Sequence, residues 1–516
     1  MDTILILDFG SQTTQLIGRR IRDLGVYSEI VPGDAPLDDE RLATVKGIIL
    51  SGSPHSVSEP DAPIPDQRVY SLGIPVLGIC YGLQRMVRDH GGQVEASSTR
   101  EFGRSRQGFL TAHELFAGVP DRFVSWMSHG DSIRRVPDGA IMVAESEHGL
   151  PGCIAFRDRP LVGIQFHPEV THCDHGDAIL ENFAVKICKA RRQWTMQEYL
   201  KIEGEKVRAQ VGSEPVLLLI SGGVDSTVTA AMLLAELPPE QLHLMYIDTG
   251  LMRHGESEEV AEGLRALGAR NLHLIDAEER FLARLAGVSD PEEKRNRIGD
   301  AFIEVQQDEV SRSITGDYFL AQGTLYTDLI ESGRGVGTKA KVIKSHHNVR
   351  SPLVDAKRAA GRIVEPLAGL YKDEVRRLGK LLGVREEIVD RHPFPGPGLG
   401  VRILGEVTRE KCEILRAVDH IYLTELRRRG LYHQIWQAFS VLLPIRSTGV
   451  TGDDRGYGYV AALRAVESRD GMTADVFPFP MNDLLEISAM ITNRVKAVGR
   501  VVYDVSSKPP ATIEWE

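Results

Sequence analysis

The chain has 516 residues, 42% hydrophobic and 26% charged, with 61 Lys and Arg against 72 Asp and Glu for a formal net charge of −11. That balance excludes a disordered, collagen-like or coiled-coil protein, and its acidity argues against nucleic-acid binding; the length allows about three domains. Met1-Asp2-Thr3 leads into a short apolar stretch broken by Asp8, unlike a secretory signal, and no apolar run reaches the roughly 20 residues of a membrane helix. Five cysteines in so long a chain fit a reduced, cytoplasmic setting better than a disulfide scaffold.

Short apolar runs alternate with helical patterns over the first 190 residues. Ile4–Leu7 reads as a buried strand, followed by a helix carrying Leu16, Ile17, Ile21 and Leu24; Gly47–Ser51, Pro75–Ile79 and Leu161–Phe166 are further strands, each closed by Gly or Pro. Strands separated by helix-length segments predict a largely parallel α/β sheet, whose ligands bind beyond the carboxyl ends of the strands. Residues 186–208 form a basic, solvated helix and linker. A second α/β region follows, with strands Val216–Ile220, Leu242–Ile247 and Asn271–Ile275 and helices from about Ser226 and over Glu256–Leu267. Near residue 390, Arg391-His392-Pro393-Phe394-Pro395-Gly396-Pro397-Gly398 interrupts all regular structure. The last section mixes a helix over Arg409–Arg429 with strand patterns and a Pro-rich end. The predicted fold is therefore α/β, with two doubly wound parallel-sheet domains (1–192 and 193–391) and a small α+β domain (392–516).

Gly78-Ile79-Cys80-Tyr81-Gly82-Leu83-Gln84 directly follows a predicted strand. A nucleophile on a sharp strand-to-helix turn needs small flanking residues, and the helix N-terminus favours a thiolate and offers amides to an oxyanion. Gln165-Phe166-His167-Pro168-Glu169 supplies a base, and in an extended segment Glu169 faces the same side as His167 and can orient it. These residues resemble the class I glutamine amidotransferases. The resemblance implies Cys80 as nucleophile, His167 as base and Glu169 as its orienter, in a reaction that hydrolyses glutamine to glutamate and ammonia through a thioester. It also implies an oxyanion loop at Ser51-Gly52-Ser53-Pro54 with Gly52 as donor, and glutamine contacts from Tyr81, Gln84, Ser128 and His129. The family commonly has Gly where this chain has Ser53.

Ser221-Gly222-Gly223-Val224-Asp225-Ser226-Thr227 lies between an apolar strand and a helix rich in Ala and Leu. Glycines and serines at a helix N-terminus cradle phosphate, but no Gly-Lys-Ser/Thr follows, so this is not a Walker loop. Asp225 would repel phosphate unless a divalent cation, Mg2+, lay between them. The segment resembles the PP-loop of the ATP pyrophosphatases, which cleave ATP between the α- and β-phosphates. That resemblance adds Asp248 and Gly323 on the nucleotide side and Lys372 as the cation for departing pyrophosphate. Gly333-Arg334-Gly335-Val336-Gly337 reads as a flexible lid.

The loop at 391–400, the end Ser507-Lys508-Pro509-Pro510-Ala511-Thr512-Ile513-Glu514-Trp515-Glu516, and the segments Ile298-Gly299-Asp300, Lys344–Asn348 and Gln437-Ala438-Phe439 resemble the GMP synthase family across essentially the whole chain. One departure is Val349-Arg350-Ser351-Pro352, where many members read G-G-L-P. The resemblance implies a ligase that adenylylates xanthosine 5′-monophosphate (XMP) with ATP and Mg2+ and aminates it with ammonia from glutamine, without an organic prosthetic group. XMP contacts follow for Arg295, Gln437, Lys508 and Glu514, as does homodimerisation through the helix Arg409–Arg429 and the surrounding C-terminal domain; neither nucleic acid nor membrane is a partner. A PP-loop enzyme acting on a carboxylate or on tRNA is the nearest rival, opposed by the acidic balance and the lack of a C-x-x-C pair. A non-catalytic nucleotide sensor is opposed by the presence of Cys80, His167, Asp225 and Lys372.

Overall fold

The structure, a computed structural model, describes residues 1–314, 316–331, 352–451, 454–468 and 473–516. The proposed lid at 333–337, Lys344–Asn348 and the 349–351 departure lie outside the described residues. Two compact units emerge: Met1–Tyr199 with the segment starting at Tyr326, and Leu200–Leu325 with the remainder of the chain.

In the first unit, β1 (Thr3–Asp8), β2 (Tyr27–Pro32), β3 (Val45–Leu50), β4 (Val76–Ile79), β5 (Gln93–Phe109), β6 (Arg122–Arg135), β7 (Ala140–Ser146), β8 (Pro151–Phe156) and β9 (Leu161–Ile164) form one sheet. Among the described residues its order is β2-β1-β3-β4-β9-β8-β7-β5-β6. The five strands from β2 to β9 are parallel, as expected. The remaining pairings are antiparallel, which the sequence reading did not foresee. Alternate residues of β1 explain the two-sided burial of the parallel part. Ile4 and Ile6 pack with Ile17, Ile21, Leu180 and Phe183, whereas Leu5 and Leu7 pack with Tyr81 and Met86 on the other side. Because β3, β4 and β9 are neighbours, their carboxyl ends deliver Ser51, Cys80 and Gln165–His167 to one edge of the sheet.

The second unit contains a fully parallel sheet of β10 (Val216–Ile220), β11 (Leu242–Asp248), β12 (Asn271–Asp276), β13 (Phe319–Ala321) and β14 (Ile363–Val364). Its order among the described residues, β12-β11-β10-β13-β14, reverses direction between β10 and β13, the crevice where α/β sheets bind ligands. A second sheet pairs β15 (Gln437–Thr451) with β16 (Asp454–Glu467), and β16 with β17 (Asp475–Val476) and, in parallel, β18 (Val498–Tyr503). The helix predicted over Arg409–Arg429 spans Arg409–Arg428, with Thr408 accepting from the Lys411 N–H at its start.

The expected boundary at 391/392 does not divide the core. One apolar cluster runs from Leu217, Met245 and Leu251 through Leu399 and Ile403 to Leu415, Tyr422, Leu442 and Leu463. Leu399 is fully buried within it. Leu399→Ala is expected to cost about 2–5 kcal/mol. Calorimetry should show the transition of residues 200–516 shifting down as one; a separately melting C-terminal section would contradict the shared core.

Candidate functional site

β4 ends at Ile79 and a helix (Tyr81–Asp89) begins one residue later, so Cys80 alone makes the turn. It does so at φ 53°, a left-handed conformation that L-residues adopt at a cost held in place by surrounding contacts. Its N–H donates to the Ile164 carbonyl at 2.8 Å, and the Gly82 N–H to the Ser51 carbonyl at 3.1 Å. The flanking glycines are steric requirements: a Cβ on Gly82 would lie 2.3 Å from the Leu50 carbonyl oxygen, and one on Gly78 would lie 2.7 Å from the Gly82 carbonyl carbon.

His167 follows β9, and β9 is the neighbour of β4, so sheet order brings His167 to the elbow. Its Nδ1 is 2.7 Å from Glu169 Oε1, and both side chains are buried. Burial alone would drive the proton off His167. The Glu169 carboxylate and a hydrogen bond with the Cys80 thiol outweigh it, holding the imidazole well above its ordinary pKa. The four other cysteines are free and buried, and burial pushes their thiols up, Cys412 to about 11 and Cys173 to about 12. Cys80 is therefore the thiol set beside a base.

The residues expected to hold glutamine gather around this pair. The Ser128 carbonyl is 3.7 Å from Cys80 Sγ, and Gln84 Nε2 donates to the Asp131 carbonyl at 3.1 Å and Gln165 Oε1 at 3.3 Å. His129 Nδ1 lies 2.8 Å from the Asp131 carbonyl. A Cβ built on Gly52 would come within 3.2 Å of His167 Cε1, so that backbone adjoins the imidazole. Ser53, the departure from the family pattern, turns its hydroxyl onto the Phe9 carbonyl at 2.8 Å and accepts from the His55 N–H. It is not among the left-handed residues, so glycine is not needed there. Tyr81 points its side chain into the core, its hydroxyl on the Pro63 carbonyl and its ring 5.4 Å from Phe9. Only its backbone can face a ligand at the elbow.

The second centre lies at the end of β10. Gly222 is left-handed at φ 76°, and Gly223 then caps the start of the helix Val224–Glu236. The hydroxyls of Ser226 and Thr227 both donate to the Gly223 carbonyl, and Ser226 Oγ also accepts from the Ser221 N–H at 3.2 Å. These bonds close the loop around its own serines. Lys372 opens the helix Lys372–Leu381 and reaches both oxygens of Asp225 at 2.6 Å, joining residues 147 apart in sequence. Gly323 follows β13, and a Cβ there would meet the Asp225 backbone at 3.2 Å. Asp248 ends β11 with Oδ1 accepting from the Gly250 N–H and Oδ2 from the Ser257 hydroxyl at 2.6 Å.

A third cluster surrounds Glu514. Arg402, wholly buried, grips its carboxylate through Nε at 3.1 Å and Nη2 at 2.8 Å, and Gln437 Nε2 donates to Oε1 at 2.7 Å. Arg464, also wholly buried, donates to the carbonyls of Ser506, Thr512 and Ile513. Buried Lys294 bonds the Glu516 carboxylate at 2.5 Å and the Ile403 carbonyl at 2.7 Å. The tail is thus anchored, not frayed, and Lys508 joins it by backbone pairing with Ala474. Arg295 is not brought to this cluster: it sits on the exposed side of the helix Pro291–Ser313, 3.3 Å from Glu292. Sequence reasoning passed over Arg402, Arg464 and Lys294. For Arg402 and Arg464 the available signal was a cation inside an otherwise apolar run, as in Leu399-Gly400-Val401-Arg402-Ile403-Leu404; Lys294, in the charged stretch Glu292-Glu293-Lys294-Arg295, carried no such signal.

Known proteins resemble this chain in part and over its whole length. The family model described as glutamine amidotransferase class-I matches residues 5–187, and that for the GMP synthase C terminal domain matches residues 424–515. A protein of Aquifex aeolicus (strain VF5) named "GMP synthase [glutamine-hydrolyzing]" is 50% identical over 513 residues, 99% of either chain. One of the same name from Thermosipho africanus (strain TCF52B) is 47% identical over the whole of both chains. A solved structure of a putative gmp synthase subunit a protein from Thermoplasma acidophilum is 30% identical, covering 37% of this chain and 94% of its own at a TM-score of 0.32.

The His167 environment yields a test. An imidazole whose pKa is raised on folding stabilises the fold below its ordinary value of 6.5, and that stabilisation is lost as pH rises through the raised value. Glu169→Gln removes the charge responsible, so the variant's melting temperature should fall more at pH 6 than at pH 9 relative to the parent. Its glutaminase turnover should drop about 10²–10⁴-fold. Unchanged turnover would leave Glu169 a packing residue.

Proposed function

The chain belongs to the family of glutamine-hydrolysing GMP synthases, and from that membership we propose how its residues divide the ATP-dependent amination of XMP to GMP. The observation that carries the assignment is the presence, in one chain, of a Cys80–His167–Glu169 array at the carboxyl ends of one sheet and an Asp225–Lys372 phosphate loop at those of another.

Cys80 attacks the glutamine carboxamide carbon, its proton passing to His167 and then to the departing nitrogen, so that ammonia leaves and a thioester forms. Water, deprotonated by His167, releases glutamate. Gly52 and the amides at the start of the Tyr81–Asp89 helix stabilise the oxyanion, while Gln84, Ser128 and His129 hold the substrate. In the second unit the xanthine C2 oxygen attacks the α-phosphorus of ATP and pyrophosphate departs, turning a poor leaving group into AMP. Ammonia then adds at C2 and displaces AMP, giving GMP.

The loop 221–227 binds the phosphates, with Asp248 and Gly323 on the nucleotide side. Lys372, ion-paired with Asp225 in the structure, moves its charge to the pyrophosphate. The Asp225 carboxylate at the phosphate loop suits Mg2+; it would help hold the ion, which would neutralise charge on the phosphates. Gln437, Glu514 and Lys508 form the XMP side, and no organic prosthetic group takes part.

A homodimer fits the distribution of apolar surface. The helix Arg409–Arg428 buries most of its apolar residues in its own chain, whereas Ile445 and Tyr457 are exposed on the neighbouring sheet, Met481 and Leu485 on the helix Met481–Arg494, and Val505 just beyond β18. Among the described residues no helix is long and apolar enough to cross a membrane, and a cytoplasmic setting accords with five free cysteines.

The test is a mass balance with XMP, ATP, Mg2+ and glutamine, in which GMP, AMP, pyrophosphate and glutamate should appear in equal amounts. Cys80→Ala should abolish synthesis from glutamine and retain synthesis from ammonium salts, and Asp225→Ala should lose both. Loss of ammonium-dependent synthesis in Cys80→Ala would make that thiol structural.

A further inference from the structure

The segment Arg391–Phe394 has no regular secondary structure, yet each of its residues is held. Arg391 is buried and donates through Nη1 to Glu256 Oε1 at 2.6 Å and to the Gly222 carbonyl at 3.3 Å, and through Nη2 to Glu259 at 2.9 Å. The His392 ring stacks on Tyr432 with centroids 3.8 Å apart. The His392 backbone N–H donates to the Tyr432 hydroxyl, while the ring Nε2 faces the Tyr432 carbonyl at 2.9 Å and the ring Nδ1 accepts from the Ala438 N–H. That pattern needs a neutral ring protonated on Nε2, and burial pushes its pKa down to about 4. The Pro393 carbonyl accepts from Gln437 Nε2 at 3.2 Å. The Phe394 ring meets the guanidinium groups of Arg253 and Arg402, 4.5 and 5.0 Å from its centre.

Gly222 is the left-handed glycine of the phosphate loop, and Arg391 is the side chain on its carbonyl. In a trans peptide the C=O and the following N–H point in opposite directions. A carbonyl drawn inward by a buried guanidinium therefore turns the Gly223 N–H outward, toward exposed Ser221, whose Oγ it meets at 3.3 Å. An outward amide at the start of a helix is what a phosphate loop presents to an anion.

Resting on the adenylylation reading above, we propose that Arg391 is a positioning residue for ATP: through the Gly222 carbonyl it sets the Gly222–Gly223 peptide so that its N–H meets the nucleotide phosphates. Glu256 holds the guanidinium in register, and the grips on residues 392–394 keep Arg391 from following the loop when the loop moves. The same segment reaches Gln437 and, through it, Glu514, so one rigid stretch of backbone references both the phosphate loop and the acceptor cluster.

The experiment uses the full chain with XMP and ammonium salt, so that glutaminase does not enter, and measures the KM for ATP. Arg391→Met should raise it about 10- to 100-fold, the worth of a charged hydrogen bond. Arg391→Lys, which keeps a donor, should recover part of the loss, and glutaminase should be unchanged in both. Because Arg391→Met strands the buried Glu256 carboxylate, the double variant Arg391→Met/Glu256→Met removes the pair together, a replacement that proteins tolerate. It should melt near the parent and keep the raised KM for ATP. A parental KM for ATP in the folded double variant, or in Arg391→Met, would overturn the proposal and reduce Arg391 to a counter-ion for Glu256. If the parent itself formed no AMP and pyrophosphate with XMP, the adenylylation reading would fail instead.

Discussion

At Gly82 the chain passes so close to β3 that a single added carbon would lie 2.3 Å from the Leu50 carbonyl oxygen. This absence of space is the condition on which the first site rests. With no side chain at 78 or 82, the helix after β4 packs directly on its own sheet, and Cys80 is left as the only residue able to make the turn. Its left-handed backbone is thus a consequence of close packing, and the thiol is presented at the helix N-terminus because it has nowhere else to go. The phosphate loop follows the same logic less severely. Gly222 is left-handed there, and Gly323 approaches the Asp225 backbone where a larger residue would force the neighbours apart.

Electrostatics then separates the two halves of the chemistry. In the first unit one buried carboxylate, Glu169, decides the protonation of one buried imidazole, and a small local array suffices because the substrate amide is neutral. In the second unit, where the proposed ligands are polyanions, the chain carries fixed cations. Arg391, Arg402, Arg464 and Lys294 are all buried, and each is neutralised by carboxylates or carbonyls of the same unit. A protein with net charge −11 thereby keeps local positive groups without a basic surface. Truncating one partner of such a pair is costly because the other charge stays buried.

The core shared by the parallel sheet and the C-terminal sheet bears on function as well as stability. Adenylylation requires the acceptor oxygen and the α-phosphorus to be held within bonding reach, and two independently tumbling domains would do this only transiently. A single core spanning Leu251, Leu399 and Leu442 removes that freedom, and the segment 391–394 crosses it carrying contacts to Gly222 at one end and Gln437 at the other.

Much of this was legible in the amino-acid sequence. Strand positions from Ile4, Val216 and Leu242 emerge within a residue or two, because continuous apolar runs mark strands buried on both faces. The Cys80 elbow, the His167–Glu169 pair and the 221–226 loop are local patterns, and local patterns survive translation into sequence. The antiparallel strands β5 to β8 were not legible; β6, for one, alternates buried and wetter positions over 14 residues and lacks such a run. Nor was the continuous core across residue 391, where the Pro- and Gly-rich stretch looks like a linker but is gripped on every side.

What the sequence determined alone is therefore the set of candidate reacting groups and the turns that carry them, since glycine spacing and residue type act over a few residues. Only the tertiary structure decided which distant groups meet. Lys372 finds Asp225, Arg402 finds Glu514 and Arg391 finds the Gly222 carbonyl across separations of more than a hundred residues. The physical reason is that sheet order and the packing of buried charges depend on the whole chain closing at once, and no window of sequence contains that information.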